Sequence, residues 1–142
     1  METSTSLDWQ AHMGAGHRYL KTATNGLRRK SVFNNELIYH LTAMAIEHLL
    51  AGVYQYYDQM AGDHTLDGLV DGLSSLCTMN PRLAESIKGI GRYDDMCPLV
   101  PVNKCVPNDV QIAAILSIGR QVSDFAELQT RLPSKDKTIK PQ

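Results

Sequence analysis

Apolar residues recur three and four positions apart along most of the chain, which is the spacing of amphipathic helices. The first stripe begins at Trp9 and ends at Leu27, and it predicts a helix over about residues 6–30. Gly16 occupies an apolar position of this stripe, so we expect another helix to cross close to it. The alternation of apolar and polar residues that is typical of strands appears nowhere in the sequence. The pattern therefore predicts an all-α fold.

Four further helices are predicted after the first. The second begins at Asn34 or Asn35 and ends near residue 60, and apolar residues cover more than half of its circumference, as expected of a central helix. A third covers about 66–76. The pair Asn80–Pro81 favours the start of a fourth, which glycines weaken near its end, and Asn108 is a suitable N-cap for a fifth.

The connections between these helices are short, which favours an antiparallel bundle of about five helices. The exception is a loop over residues 94–107, which contains three prolines. We expect a single domain over residues 1–132, because its length is near the commonest domain size. The polar residues 133–142 are expected to form a disordered tail.

Charge is distributed unevenly along the chain, although the net charge is only −1. Residues 31–81 contain six acidic residues and neither lysine nor arginine. Such a segment is a poor site for phosphates, so nucleic acid is an unfavourable partner. Two interpretations stay open: charge complementarity between helices of one bundle, or an acidic face that meets a basic partner or a metal.

Apolar runs, the N-terminal pattern and the cysteines bear on the cellular compartment of the protein. No apolar run approaches the length needed to span a membrane, and the N-terminus lacks a basic and then apolar signal pattern. The three cysteines Cys77, Cys97 and Cys105 form no CxxC pair. We therefore expect a cytoplasmic protein without a disulfide framework.

Four polar residues of the second helix are separated by four, seven and eleven positions, which places them near one side of a helix. This stripe is either a line of contacts to a metal or nucleotide, or the solvated edge of a buried helix. Within it, Glu47 stands deepest in an apolar run. We expect it to be buried and paired with Arg18 or Arg92, since an unpaired buried charge is costly. The stripe comprises Glu36, His40, Glu47 and Asp58.

Other polar and aromatic residues allow two interpretations each. His48 and His64 are either hydrogen-bonding partners between helices or ligand contacts, and His64 precedes a helix start that would suit an anion. His12 and His17 are expected to be exposed. Tyrosines 54, 56 and 57 cannot all face one side of a helix, so we expect at least one to be exposed and core packing to account for the rest. An exposed aromatic patch there would suit a homodimer interface.

Several short motifs, taken in order, resemble the HEPN family of small helical bundles. His40 and the run 45–48 are similar to the family's "His, several residues, Ala-x-Glu-Lys", with His48 in place of the lysine. His64-Thr65-Leu66, followed by Leu69-Val70, is similar to the family's third-helix start. Arg92-Tyr93 matches an Arg-Tyr pair near the end of the fourth helix. The resemblance spans roughly residues 9–132.

The resemblance implies a binding protein, because one family feature is missing. HEPN ribonucleases carry an arginine followed after four to six residues by a histidine, and no histidine follows His64 here. The implied function is a non-catalytic module that binds a nucleotide or a protein partner such as a nucleotidyltransferase, in a toxin–antitoxin-like setting. The alternative is a metal-independent ribonuclease with His40, His48 or His64 as acid–base groups.

The expected ligand contacts come from the second, third and fourth helices, and no catalytic residue, cofactor or metal is assigned. A di-metal bundle needs Glu-x-x-His motifs, which the sequence lacks. A zinc site from Cys97, Cys105 and His64 has no standard ligand spacing. The candidate site residues are Glu47, His64, Arg92, His40, His48 and Tyr93.

Overall fold

The computed structural model describes residues 4–30, 33–62, 64–96 and 106–131 of the chain. Within these residues it contains five α-helices and no strand, which confirms the all-α helical bundle. The helices are α1 (Ser4–Gly26), α2 (Asn35–Tyr56), α3 (Leu66–Leu73), α4 (Pro81–Met96) and α5 (Asp109–Arg131).

Helix α2 lies at the centre of the bundle, and α1 packs against it in the antiparallel direction. The two backbones approach closely at Gly16, where a Cβ atom would lie 2.6 Å from Leu49 Cγ and 3.1 Å from the carbonyl oxygen of Ala45. Nearer the start of α1, Trp9 packs edge-on against Tyr56, with 5.2 Å between ring centroids. The close crossing predicted at Gly16 is therefore confirmed.

Helix α5 lies beside α2 and runs parallel to it. Asn35 donates a hydrogen bond to Asp109 at the first turn of both helices, and Tyr57 donates one to Gln129 near the last turn of α5. Helix α4 brings the chain back to the start of α2, where the carbonyl of Ile90 accepts a hydrogen bond from Tyr39, and α5 begins at the same end of the bundle. The short connections predicted antiparallel neighbours. This holds for α1 with α2 and for α3 with α4, whereas α2 and α5 run parallel.

Helices α3 and α4 form an antiparallel hairpin beside α2. Lys88 of α4 bonds to Asp71 of α3 at 2.6 Å. The hydroxyl of Tyr39 in α2 donates to the carbonyl of Ile90 at 3.0 Å, and that of Tyr54 donates to the carbonyl of Leu69 at 2.7 Å. These two tyrosines fix α4 and α3 against the central helix.

Local capping explains where the helices begin. Asn34 accepts a hydrogen bond from the backbone N–H of Leu37 at 2.8 Å, and Thr65 accepts one from Gly68. Asn108 and Gln111 each bond to the other's backbone N–H at 2.8 Å, which is a capping box. The predicted starts of α2 and α5 are confirmed.

The helix ends depart from the predicted ones. Helix α1 ends at Gly26, before the basic run 28–30, because Gly26 packs closely against the Phe33 ring as the chain turns. Helix α4 continues through Gly89 and Gly91 to Met96, so the predicted loop begins later than residue 94. Most of that loop and the polar tail lie outside the described residues.

Helix α2 is long and apolar enough to cross a membrane by length and composition alone. The sequence pattern had suggested no such segment. More than half of its apolar window is buried against the other helices, as expected for the core helix of a bundle.

Candidate functional site

One side of α2 faces solvent instead of the core, and it carries His40, Met44 and Glu47. These positions are separated by four and three residues, so they share one side of the helix. Ile46 and Leu49, which flank Glu47, point the other way and are fully buried. The predicted burial of Glu47 is therefore wrong, because its apolar neighbours belong to the opposite side of the same helix.

A cleft of about 590 Å³ lies between this side of α2 and the α3–α4 hairpin. We call it the first cleft. Its volume lies within the range of small-ligand sites. Its lining combines aromatic and aliphatic side chains with one imidazole and two carboxylates. Its walls include Tyr39, His40, Met44, Glu47, Leu66 and Asp67.

A second cleft of about 410 Å³ lies further along α2, toward its C-terminus. It contains three imidazoles, one of which comes from α1 and one from the segment that precedes α3. Glu47 lines both clefts and so forms the ridge between them. The polar and aromatic residues around the second cleft include His12, Glu47, His48, Tyr54, Gln55 and His64.

The structure thus brings together four of the six residues that the sequence singled out. His40 and Glu47 line the first cleft, and Glu47, His48 and His64 line the second. Partial burial raises the pKa of Glu47 above its usual value, while the charge of His64 acts in the opposite direction. Glu47 is therefore an anion whose loss of hydration is only partly compensated by its surroundings.

Arg92 and Tyr93 lie in α4, directly after Gly91, and Gly91 lines the first cleft. The structure describes the helix at these two positions but not their side chains. The predicted pairing of Glu47 with Arg92 therefore falls outside what the structure describes. The other predicted partner, Arg18, forms no ion pair with Glu47 among the contacts of the described residues. Its charge instead acts on His48.

His48 bonds to His12 at the edge of the second cleft, with 3.1 Å between their Nδ1 atoms. The ring of Tyr19 stacks on His48 with centroids 5.5 Å apart. Burial, followed by the charge of Arg18, lowers the pKa of His48. His12 is half-buried by these contacts, so its predicted exposure is wrong. No sequence signal identified it, because its role depends on the crossing of two helices.

His17 is also half-buried, contrary to prediction, and its Nε2 atom lies 3.1 Å from the Ser123 hydroxyl and 3.2 Å from Glu127. A catalytic triad needs the acid on one ring nitrogen and the nucleophile on the other. Here both groups contact the same nitrogen. The arrangement holds α1 against α5 and is not a nucleophilic site.

The predicted polar stripe is only partly formed. Glu36 and His40 lie 3.9 Å apart, and both remain near Glu47's side of α2. Asp58 lies beyond the end of α2 with a φ angle of 59°, so it leaves the stripe. Within the described part of the chain, no cluster of three or more His, Cys, Asp or Glu residues could hold a metal ion.

The tyrosines late in α2 do not form the predicted exposed patch. Tyr54 and Tyr56 are buried, and Tyr57 is half-buried. Tyr54 donates a hydrogen bond to Leu69 of α3, and Tyr56 packs edge-on against Trp9 of α1. The aromatic patch expected at a homodimer interface is therefore absent from these three residues, and the homodimer stays a prediction.

Comparison with protein-family models, with curated proteins and with solved structures found no match to this chain.

Proposed function

We propose that this chain is a non-catalytic, HEPN-like helical module that binds its partner through the two clefts on either side of Glu47. The observation that carries the proposal is the position of Glu47, which is exposed and forms a wall of both clefts. A single side chain shared by two clefts can be contacted by one ligand that occupies both. Cytoplasmic location and homodimer formation belong to the same proposal.

A protein partner is favoured over a nucleotide by the charges at this site. Among the described lining residues, the two clefts contain the carboxylates of Glu47 and Asp67 and neither lysine nor arginine. Phosphate groups are bound by cationic side chains and are repelled by carboxylates. Imidazoles alone are a weak counterpart for a polyphosphate at neutral pH.

The same charges count against the ribonuclease alternative. Cleavage of RNA needs acid–base groups and basic residues around one phosphate. His48 is instead bonded to His12, and burial lowers its pKa, which favours its neutral form. The arrangement supports binding better than turnover.

The test combines a thermal-shift titration with an RNA cleavage assay on the full chain. The probes are ATP, GTP, their monophosphates and a short arginine-rich peptide. A probe that binds only the folded state adds about 2.7 kcal/mol at 100 times its Kd, which raises Tm by several degrees. We expect a saturable shift with the arginine-rich peptide, which Glu47→Gln reduces to about half at the same peptide concentration, and no RNA cleavage. Cleavage that His40→Ala or His64→Ala removes would overturn the proposal.

A further inference from the structure

We propose that the first cleft binds a guanidinium group, supplied by an arginine side chain of a partner protein. This inference rests on the proposed function, because it names the chemistry of the group that occupies the same site. Three features of the first cleft support the proposal: its charge, the buried Oδ1 atom of Asp67 that lacks a hydrogen-bond partner among the described residues, and its shape.

The charge of the cleft favours a cation. Glu47 stands on one wall and Asp67 on the other, and no lysine or arginine is among the described residues that line it. The surrounding segment 31–81 adds acidic residues and no basic ones. Within the described lining, a cation is therefore favoured over an anion, although Lys88 of α4 lies close enough for its charge to interact with Asp67.

Asp67 provides an independent sign of a missing donor. Its Oδ1 atom is buried and has no hydrogen-bond partner among the described residues. Lys88, on the facing helix of the hairpin, bonds to Asp71, and the charge of Asp67 also helps to raise the pKa of Lys88. A buried acceptor without a donor is costly. Oδ1 itself is closed to solvent, so a ligand in the cleft contacts the exposed part of the Asp67 side chain and reaches Oδ1 only if that side chain rotates.

The partial burial of Glu47 supports the same conclusion. Its pKa is raised because the carboxylate loses hydration, and the charge of His64 offsets this only in part. A second positive charge beside Glu47 would complete the compensation. The two carboxylates therefore offer complementary acceptors to a ligand placed between the walls.

The shape of the cleft selects arginine among cations. Tyr39, Met44 and Leu66 provide apolar walls for an aliphatic stem, and long basic side chains bury such stems readily. A guanidinium has five N–H donors in a planar fork that matches carboxylates and stacks on aromatic rings. A bare metal ion is a poorer match, because the described residues hold no cluster of three metal-binding side chains.

The test is an NMR titration of the full, ¹⁵N-labelled chain with N-acetyl-arginine methylamide. The matched control probe is the citrulline analogue, which has nearly the same shape and no charge. We expect saturable shifts of backbone amides around the first cleft, including those of Ala43, Glu47 and Gly91, and binding of the citrulline analogue that is weaker by about tenfold or more.

Three variants locate the site. Glu47→Gln and Asp67→Asn are each expected to weaken arginine binding by about tenfold. Asp124→Asn changes the net charge equally, but it lies on α5 outside both clefts, so it should leave binding unchanged. Equal weakening by all three variants would show attraction by net charge alone and would overturn the inference.

A parallel titration with ATP separates this inference from the proposed function. If ATP shifts the cleft amides and the arginine probe does not, the guanidinium assignment is wrong and the binding module stands. If neither probe shifts them, both fail at this site. Equal binding of the arginine and citrulline probes would also overturn the inference, since the charge would then contribute nothing.

Discussion

The Nδ1 atoms of His12 and His48 lie 3.1 Å apart and join α1 to α2 beside the second cleft. In such a bond one nitrogen donates its hydrogen and the other accepts it, so at least one of the two rings must be neutral. Burial and the charge of Arg18 lower the pKa of His48, which favours its neutral form. Tyr19 stacks on the same ring and holds it in place.

This pair makes the stability of the fold depend on pH. His48 in the folded protein has a pKa below its ordinary value of 6.5, so the unfolded chain binds more protons below that pH. The contribution of His48 is therefore fully present above about pH 6.5 and is lost as the pH falls through the lowered pKa. We expect urea unfolding to give a lower free energy at pH 5.5 than at pH 7.5.

The control for this prediction is a side chain of the same helix that does not titrate. His48→Gln should reduce the difference in unfolding free energy between the two pH values, whereas Met44→Gln, at an exposed position of α2, should leave it unchanged. If both variants show the same pH dependence as the wild-type chain, His48 does not govern it.

The crossing of α1 and α2 at Gly16 should tolerate no side chain. A Cβ atom there would lie 2.6 Å from Leu49 Cγ, so Gly16→Ala forces the helices or the leucine to move. Overpacking of this kind costs about 1–3 kcal/mol. Gly89→Ala is the matched control, because nothing lies within 4 Å of the Cβ position there, and it should stabilise α4 by about 0.5–1 kcal/mol. Similar effects of both substitutions in urea unfolding would contradict the close crossing.

The hydroxyl of Tyr54 holds α3, and with it one wall of the first cleft, against the central helix. It donates to the carbonyl of Leu69 at 2.7 Å in a buried environment. Tyr54→Phe should therefore lower the unfolding free energy by about 1 kcal/mol. Tyr57→Phe removes a longer, partly buried bond of 3.2 Å to Gln129 and should cost less. The reverse order of the two effects would show that this contact does not stabilise α3.

The helices could be predicted from the sequence because their signals are local. Apolar spacing sets the buried side of each helix, and the cap residues Asn34 and Asn108 mark two of the starts. The ends were harder to predict. Gly89 and Gly91 weaken a helix by intrinsic propensity, but α4 continues through both because Ile87 and Ile90 are buried against the other helices, which no local signal reveals.

The candidate site could be predicted only in part. The sequence selected His40, His48 and His64 together with Glu47, and these residues do meet at two neighbouring clefts. It placed Glu47 in the core because average hydrophobicity around a residue does not reveal which side of the helix it faces. Asp67 and His12 were missed as site residues, since each joins the site through contacts between helices.

The exposed position of Glu47 reverses the expected effect of replacing it. A buried ion pair would make Glu47→Ala strongly destabilising. Here the folded state raises the pKa of Glu47 above 4.5, so the native protein holds its proton more tightly than the unfolded chain does. Ionisation of this group thus lowers stability as the pH rises through the raised pKa. At pH 7 we expect Glu47→Gln to be at least as stable as the wild-type chain, within about 0.5 kcal/mol.

The most direct measurement is to determine the stability and the ligand binding of Glu47→Gln with the same protein preparation. Urea unfolding gives the first quantity, and the thermal-shift titration with the arginine-rich peptide and the nucleotides gives the second. Unchanged stability together with a saturable shift reduced to about half is the predicted result, because Glu47 then serves binding and not folding. A variant that is destabilised by several kcal/mol, or one that binds as well as the wild-type chain, would contradict the account.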